Sequence, residues 1–230
     1  MKRTRTRLLI AGVAPVLALT ACGGVNQYLA DRSETTELYH IFDIKTGADI
    51  DTVATAAADG LAQNTNRIQQ NRPLMMSTDI PAKPGRFQLV DASSAFAGTG
   101  MGAFLQAAQS QAGATTMRLA KCDGAVWTSK ATRAIPGYNN LNLYSCLYAY
   151  RGGYQLDVYG VFQKSSGGLT GLEQGLAGSL VGTPDQWVNK TILDTVRNIA
   201  AVSHGQVVQI EGQPKIAGDS LPWVDKLGTH

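Results

Sequence analysis

The chain has 230 residues, of which 44% are hydrophobic and 16% are charged. Its mean hydropathy is −0.08, so the composition excludes both a disordered polyampholyte and a multispanning membrane protein. The formal net charge is +3, but four basic residues lie within the first seven positions. Without residues 1–21 the balance is 16 basic against 17 acidic residues, or −1, which gives no electrostatic basis for binding nucleic acid.

The first 22 residues have the pattern of an export signal. A basic n-region is followed by the apolar run Leu8 to Ala21, which spans about 21 Å as a helix, less than the bilayer core of about 30 Å. The run ends in Leu19-Thr20-Ala21-Cys22, which resembles the lipobox of bacterial lipoproteins. The resemblance implies cleavage before Cys22, a diacylglyceryl group on its thiol and acylation of the new amino group.

The residues after Cys22 bear on where such a protein goes. Several acyl chains together form an anchor that does not readily dissociate. Gly23 and Gly24 occupy the positions where the family's inner-membrane retention signal often has Asp. The resemblance therefore implies the periplasmic face of the outer membrane in a diderm host, rather than the inner membrane or the cell surface. We expect a cleaved signal peptide (1–21), a polar tether (22–36), one domain (37–212) and a C-terminal tail (213–230).

The two remaining cysteines, Cys122 and Cys146, form an even pair in an exported chain. This parity predicts a disulfide, and the alternative is two buried thiols. The chain has no CxxC motif, and its three histidines are far apart in sequence. The sequence therefore predicts no metal site and no cofactor.

Hydrophobic periodicity predicts an ordered series of elements. We expect a strand over 38–44, a helix with a buried face of Ile50, Val53, Ala57 and Leu61, a long connection over 64–85, a strand over 86–91 and an amphipathic helix over 101–112. The glycine-rich segment 165–182 keeps leucines at helical spacing, as in a docked surface helix, a mobile flap or a close-packed partner face. Thr183 and Pro184 then begin a further helix, with a buried stripe of Val188, Ile192, Val196 and Ile199, before a last strand over 206–210.

The segment from Leu141 to Gln163 predicts a β-hairpin about Gly152-Gly153. Pairing Arg151 with Tyr154 gives one nearly all-apolar face, with Leu143 opposite Phe162. The other face carries the candidate partner contacts, Tyr144, Tyr148, Tyr150 and Tyr159. The alternative for these four tyrosines is packing in cross-strand pairs that another element half covers.

Two expectations conflict upstream of this hairpin. A second hairpin about Asp123-Gly124, made from 116–121 and 125–133, would put Cys146 opposite residue 128. Cys122 would then lie one strand too far away for a disulfide, which needs a Cα separation under about 7 Å. We keep the disulfide and doubt the register of 115–133.

Catalytic templates do not fit the chain. Gly218-Asp219-Ser220-Leu221 resembles the signature of the GDSL hydrolases, but that family has its serine block near the N-terminus and an Asp-x-x-His pair far downstream. Here Asp225 and His230 have the wrong spacing. Ser203 and His204 are adjacent and cannot both converge on one substrate atom.

The sequence as a whole predicts an α+β domain, in which an antiparallel sheet of about five or six strands has two to four helices packed chiefly on one face. The functional expectation is a lipid-anchored periplasmic protein, held at the membrane by Cys22, that binds another envelope protein without enzymatic activity. The alternatives are a periplasmic hydrolase or cell-wall enzyme with scattered catalytic residues, and a small-molecule or lipid-binding module with the glycine-rich flap as its lid.

Overall fold

The computed structural model describes residues 32–73, 79–95, 98, 118–134, 141–166 and 184–214. The main sheet is built from β1 (Arg32–Lys45), β2 (Arg67–Asn71), β5 (Trp127–Arg133), β6 (Leu141–Tyr150), β7 (Gly153–Ser166) and β8 (Gln206–Gln213). A smaller sheet pairs β3 (Gln88–Asp91) with β4 (Arg118–Lys121). The main sheet is antiparallel with the order β2-β5-β6-β7-β1-β8. The α+β class and the six-stranded sheet are therefore as predicted.

Two long helices, α1 (Ile50–Ala62) and α3 (Pro184–Ser203), cover one face of the main sheet, and α2 (Ala92–Ala95) is a single short turn. Asp49 caps α1, since its carboxylate accepts the Thr52 N–H at 2.8 Å. Both predicted helix stripes face the core, and their most buried members are at most 1% exposed: Val53, Ala57, Leu61, Val188, Ile192, Val196 and Ile199. No helix among the described residues is long and apolar enough to cross a membrane.

The hydrophobic core lies between these two helices and the sheet. Strands β1, β5, β6 and β7 each contribute alternate side chains to it, among them Phe42, Trp127, Leu147 and Leu156. The two helices approach closely at Gly60, where an added Cβ would meet the backbone of Thr195. Asn198 of α3 also donates to the Ala56 carbonyl of α1 at 2.8 Å. The helices α1 and α3 therefore pack against each other as well as against the sheet.

Strands β6 and β7 form the predicted hairpin in a different register. Tyr150 pairs with Gly153, so residues 151–152 form the turn, and Leu143 lies opposite Gly160. Each predicted pair is therefore two residues out of place. A shift of two residues leaves every side chain on its predicted face, because the side-chain period of a strand is two.

Close packing against β1 explains this register. Gly153 has φ 131°, a value that side chains other than glycine rarely adopt. The carbonyl oxygen of Ile44 in β1 lies where a Cβ of residue 153 would be. Gly153 is therefore needed as the first residue of β7 rather than in the turn itself.

Three element boundaries differ from the sequence expectations. Strand β1 begins at Arg32, within the range assigned to the tether. Strand β2 lies inside the predicted connection over 64–85 and forms one edge of the sheet. Strand β8 continues to Gln213, past the predicted domain end. The predicted helix over 101–112, the glycine-rich segment beyond Ser166, the tail beyond Pro214 and the lipidation candidate Cys22 lie outside the described residues.

Candidate functional site

The sheet face opposite the helices carries the predicted tyrosines, and we call it the tyrosine face. One row of side chains on this face runs across neighbouring strands, with Lys130 beside Tyr144, Tyr144 beside Tyr159, and Tyr159 beside Tyr39. The rings of Tyr144 and Tyr159 are stacked with their centroids 6.1 Å apart. The Lys130 ammonium lies 5.6 Å from the Tyr144 ring centroid. Alternation in the hairpin therefore placed these tyrosines on one face as expected.

A segment before β3, residues 79–87, crosses the tyrosine face, and we call it the strap. Gly85 of the strap lies directly over the ring of Tyr148, where an added Cβ would be 2.7 Å from Cδ1. Phe87 packs against Tyr159 and Tyr39, with ring centroids 6.2 Å apart in both cases. The strap and the small sheet thus form a third layer, on the side of the main sheet away from the helices.

This cover changes the interpretation of the four tyrosines. Tyr148 and Tyr159 are each 1% exposed, so the expectation that they are partner contacts is wrong for the folded chain. The strap covers both rings. The alternative, in which the tyrosines pack against neighbouring strands under another element, therefore describes Tyr148 and Tyr159. Tyr144 and Tyr150 are half-buried, and for them partner contact stays a prediction.

Hydrogen bonds hold the strap on the sheet. The Phe87 N–H donates to Asp157 Oδ2 at 3.0 Å. The Gln155 side-chain amide donates to the Gly85 carbonyl at 3.0 Å and to Asp157 Oδ1 at 2.8 Å. At the hairpin turn, the Arg151 N–H donates to the Pro81 carbonyl at 2.9 Å.

Asp157 is the buried acidic group of this face, with 0% of its side chain exposed. Burial raises the pKa of Asp157 to about 6, although its bonds from Phe87 and Gln155 act in the opposite direction. Burial also raises the pKa of Tyr148 and of Tyr159. The Tyr148 hydroxyl has no hydrogen-bond partner among the described residues, whereas Glu37 is close enough to the Tyr159 hydroxyl to raise its pKa further.

Cys122 and Cys146 lie at disulfide distance, with a Cα separation of 5.5 Å, in agreement with the predicted bridge. The predicted hairpin about Asp123-Gly124 is wrong, because β4 leaves the main sheet and pairs with β3. Strand β5 pairs with β6 as expected, with Thr128 opposite Cys146. The end of β4 therefore crosses over β6, which brings Cys122 above Cys146.

A groove of about 420 Å³ remains open at the Tyr144 end of the tyrosine face. Its floor comes from β2, β5 and β6, and it consists of Gln69, Asn71, Thr128, Lys130 and Tyr144. One wall is the β4 end, with Ala120, Cys122 and Asp123, and Pro73 lies at the other side. The disulfide joins that wall to the floor strand β6.

Apolar atoms supply most of the groove lining, and amide, hydroxyl and ammonium groups lie among them. The carboxylate of Asp123 pairs with Lys121 at 2.7 Å. Lys130 forms no ion pair with any residue that the structure describes. Gln69 and Asn71 are exposed, and their amides can each donate and accept. The groove can therefore hold a polar segment with a negative charge.

A second cavity, of about 540 Å³, lies at the start of α1. Its polar groups are already paired with each other, since Asp49 caps the helix and Arg72 pairs with Asp51. Ser203 Oγ donates to the Ile199 carbonyl at 2.7 Å, within its own helix. In the part of the chain that the structure describes, no three His, Cys, Asp or Glu residues are grouped to hold a metal.

Sequence reasoning missed the strap, the groove floor from β2 and the burial of Asp157. The alternation that placed Asp157 on the tyrosine face contained no signal for what covers it. Gln69 and Asn71 lie in a short polar strand, whose pattern resembles that of a loop. The length of the predicted connection over 64–85 was the available signal, because loops of about 20 residues without structure are uncommon in compact domains. That length indicates a segment that packs on the sheet.

Comparisons with known proteins do not identify a family or a function for this chain. No family model matches the chain, and no curated protein matches it. A solved structure of a hypothetical protein from Helicobacter pylori is 11% identical and covers 85% of this chain and 99% of that chain, with a TM-score of 0.27. A likeness at that TM-score carries no argument about fold or function.

Proposed function

We propose that this protein is a lipid-anchored envelope protein that binds another envelope protein, without catalysis, through the groove beside Tyr144. The anchor is the acylated Cys22 that the lipobox resemblance implies, at the periplasmic face of the outer membrane. The observation that carries the binding role is the groove itself, the part of the tyrosine face that the strap leaves open.

The chemistry of the groove indicates what it binds. The amides of Gln69 and Asn71 match the alternating donors and acceptors of a peptide backbone. Lys130 adds a positive charge that favours an acidic side chain on the partner. An extended, acidic segment of a partner protein therefore fits these groups best.

The disulfide supports this assignment. It fixes the Cys122 wall against β6, so that the groove keeps its width before a partner arrives. A preformed site loses less entropy on binding than a site that must first become ordered. A disulfide beside the groove also fits an exported protein, because such bonds persist in oxidising compartments.

The binding role is tested by capture of partners from cells that carry the native gene or a variant. Lys130→Gln should weaken the free energy of partner binding by about 1 to 2 kcal/mol, and so reduce the amount of partner captured. Lys190→Gln is the matched control, since Lys190 is an exposed lysine on the helical side. Equal capture by both variants would contradict the groove assignment.

The anchor is tested in the same cells. Cys22→Ser should abolish labelling by a fatty-acid probe, because the acyl chains attach to the Cys22 thiol and to the amino group that cleavage exposes. Undiminished labelling of this variant would remove the anchor from the proposal.

A further inference from the structure

The strap contact includes one buried carboxyl group, that of Asp157, which forms no salt bridge with any described residue. Asp157 accepts from the Phe87 backbone N–H and from the Gln155 amide, and both donors are neutral. The basic residue nearest in the strap is Arg86, but its guanidinium pairs with Glu211 of β8 at 2.7 Å. In the described part of the chain, the carboxyl group at the centre of the strap contact is thus buried without a salt bridge.

The groups around Asp157 come from every neighbouring element. From β6 they are Tyr148 and the disulfide-bonded Cys146, which is its cross-strand partner. From β1 the cross-strand partner is the apolar Ile41. The acidic group from β8 is Glu211, whose like charge raises the pKa of Asp157. Arg86 of the strap lowers the same pKa.

Two further acidic groups lie nearby on the tyrosine face, and both have partners. Asp43, on β1, is bound by Lys45 and by the Tyr150 hydroxyl. Asp123 is paired with Lys121. The lysines near these two carboxylates, Lys45 and Lys121, are therefore paired with them and not with Asp157.

We propose that Asp157 and the strap form a pH-dependent latch, which holds the strap on the tyrosine face when Asp157 is protonated and loosens when Asp157 is ionised. Lifting the strap would bring water to the carboxyl group. Water stabilises a carboxylate far more than a neutral carboxylic acid. Ionisation therefore favours the open strap, and protonation favours the closed one.

The direction of the effect follows from linkage. The pKa of Asp157 is about 6 under the closed strap, against about 3.9 for a carboxyl group in water. The group with the raised pKa stabilises the closed state in acid, and this contribution is lost as the pH rises through 6. Between pH 5 and pH 7.5 the ratio of open to closed strap should rise about tenfold.

Opening of the latch would change what the protein presents to a partner. Gly85 and Phe87 of the strap cover the rings of Tyr148 and Tyr159. Among the described residues the Tyr148 hydroxyl has no partner under the strap, so it gains a hydrogen bond to water when the strap lifts. The rings of Tyr148 and Tyr159, which are buried in the closed protein, are then exposed to water beside the groove.

Amide hydrogen exchange of the purified protein at pH 5 and pH 7.5 tests the latch, with each rate divided by its intrinsic rate at that pH. Two amides report on the strap, those of Phe87 and of Arg151, because each is bonded across the strap contact. Their protection should fall about tenfold from pH 5 to pH 7.5. The Val53 amide of α1, on the helical side, should change by less than twofold after the same correction.

Two variants separate the latch from general loosening. Asp157→Asn should give the same strap protection at both pH values, because residue 157 then has no charge to lose. Glu211→Gln removes the Arg86 ion pair and the like charge that raises the pKa of Asp157, so it should lower protection at both pH values and reduce the ratio below tenfold without abolishing it. A wild-type ratio near one, or a tenfold ratio that persists in Asp157→Asn, would overturn the proposal.

A direct titration covers the case in which Asp157→Asn does not fold. The carboxyl carbon signal of Asp157 in the wild-type protein should titrate with a midpoint near 6, and the Phe87 amide shift should follow the same curve. A midpoint near 4, or a Phe87 amide that does not follow it, would equally overturn the latch.

Discussion

Two tyrosine hydroxyls on the same face differ in their surroundings. The Tyr148 hydroxyl is buried and has no hydrogen-bond partner within the described ranges. The Tyr150 hydroxyl donates to Asp43 at 2.5 Å and accepts from the Lys45 ammonium. A buried hydroxyl without a partner costs stability, whereas a bonded one contributes to it.

Replacement by phenylalanine should therefore act in opposite directions at these two positions. Tyr148→Phe should raise the free energy of unfolding by about 1 kcal/mol, because it removes a buried polar atom that has no partner. Tyr150→Phe is the matched control and should lower it by about the same amount. Urea unfolding of the three proteins measures both changes, and a Tyr148→Phe variant that is the less stable of the two would show that the hydroxyl is satisfied.

Sequence periodicity could predict on which face a residue of β6 or β7 lies, but not whether that face is covered. Tyr144 and Tyr159 are neighbours in one row, yet Tyr144 is half-buried and Tyr159 is buried. The difference comes from Phe87, which is remote in sequence. The strap fits the sheet because Gly85 has no side chain to clash with Tyr148 and because the Phe87 backbone N–H bonds Asp157. Neither feature produces a periodic pattern in the sequence.

At the scale of elements, the disulfide joins the small sheet to the main one. It connects the end of β4 to the middle of β6 and closes a loop with a sequence separation of 24. Cysteine parity in an exported chain was sufficient to predict it, while the predicted hairpin about Asp123-Gly124 had turn residues but the wrong strand partner. Local turn signals give the position of a turn, not the strand that follows it.

Loss of the disulfide should destabilise the fold and loosen the groove wall. Reduction should lower the free energy of unfolding by about 3 kcal/mol through the entropy of the opened loop. Unfolding of the oxidised and reduced protein in urea measures the difference. Alkylation of the unfolded, unreduced protein should modify neither Cys122 nor Cys146, and two labelled cysteines would contradict the bridge.

Short polar strands and close backbone contacts explain the other element-level differences. Strand β2 was missed because its sequence, Arg67–Asn71, has a single hydrophobic residue, Ile68. Edge strands with few apolar side chains carry little alternation. The helix α3 was predictable over its buried stripe, because its four apolar positions follow a 3.6-residue period over three turns.

In the whole molecule, helices, main sheet and strap form three layers, and each side of the sheet buries a group whose pKa lies between about 4 and 6. His40 is on the helical side of β1 and is 0% exposed. Its Nδ1 lies 2.8 Å from the Gln209 amide nitrogen. Burial lowers the pKa of His40 to about 4, while burial raises the pKa of Asp157 to about 6.

These two groups should act on global stability with opposite sign. The His40 contribution is complete above pH 6.5 and is lost as the pH falls towards 4, whereas the Asp157 contribution is complete below about pH 4 and is lost as the pH rises through 6. The free energy of unfolding of the wild type should therefore change by less than about 1 kcal/mol between pH 7.5 and pH 5.

Removal of one group should reveal the other. In Asp157→Asn, His40 acts alone, so the free energy of unfolding should fall by about 2 kcal/mol from pH 7.5 to pH 5. Urea unfolding of both proteins at the two pH values measures this difference. A variant as insensitive to pH as the wild type would show that His40 is not buried in its neutral form.

The proposed function requires that the groove beside Tyr144, rather than the buried tyrosines, contacts the partner. A photo-crosslinking amino acid at Asn71 lies in the groove, and the same residue at Asp59 lies exposed on α1, on the helical side. In living cells we expect one protein adduct from position 71 and none from position 59. An adduct from position 59 with none from position 71 would contradict it, as would no adduct from the groove under conditions where Lys130→Gln impairs function.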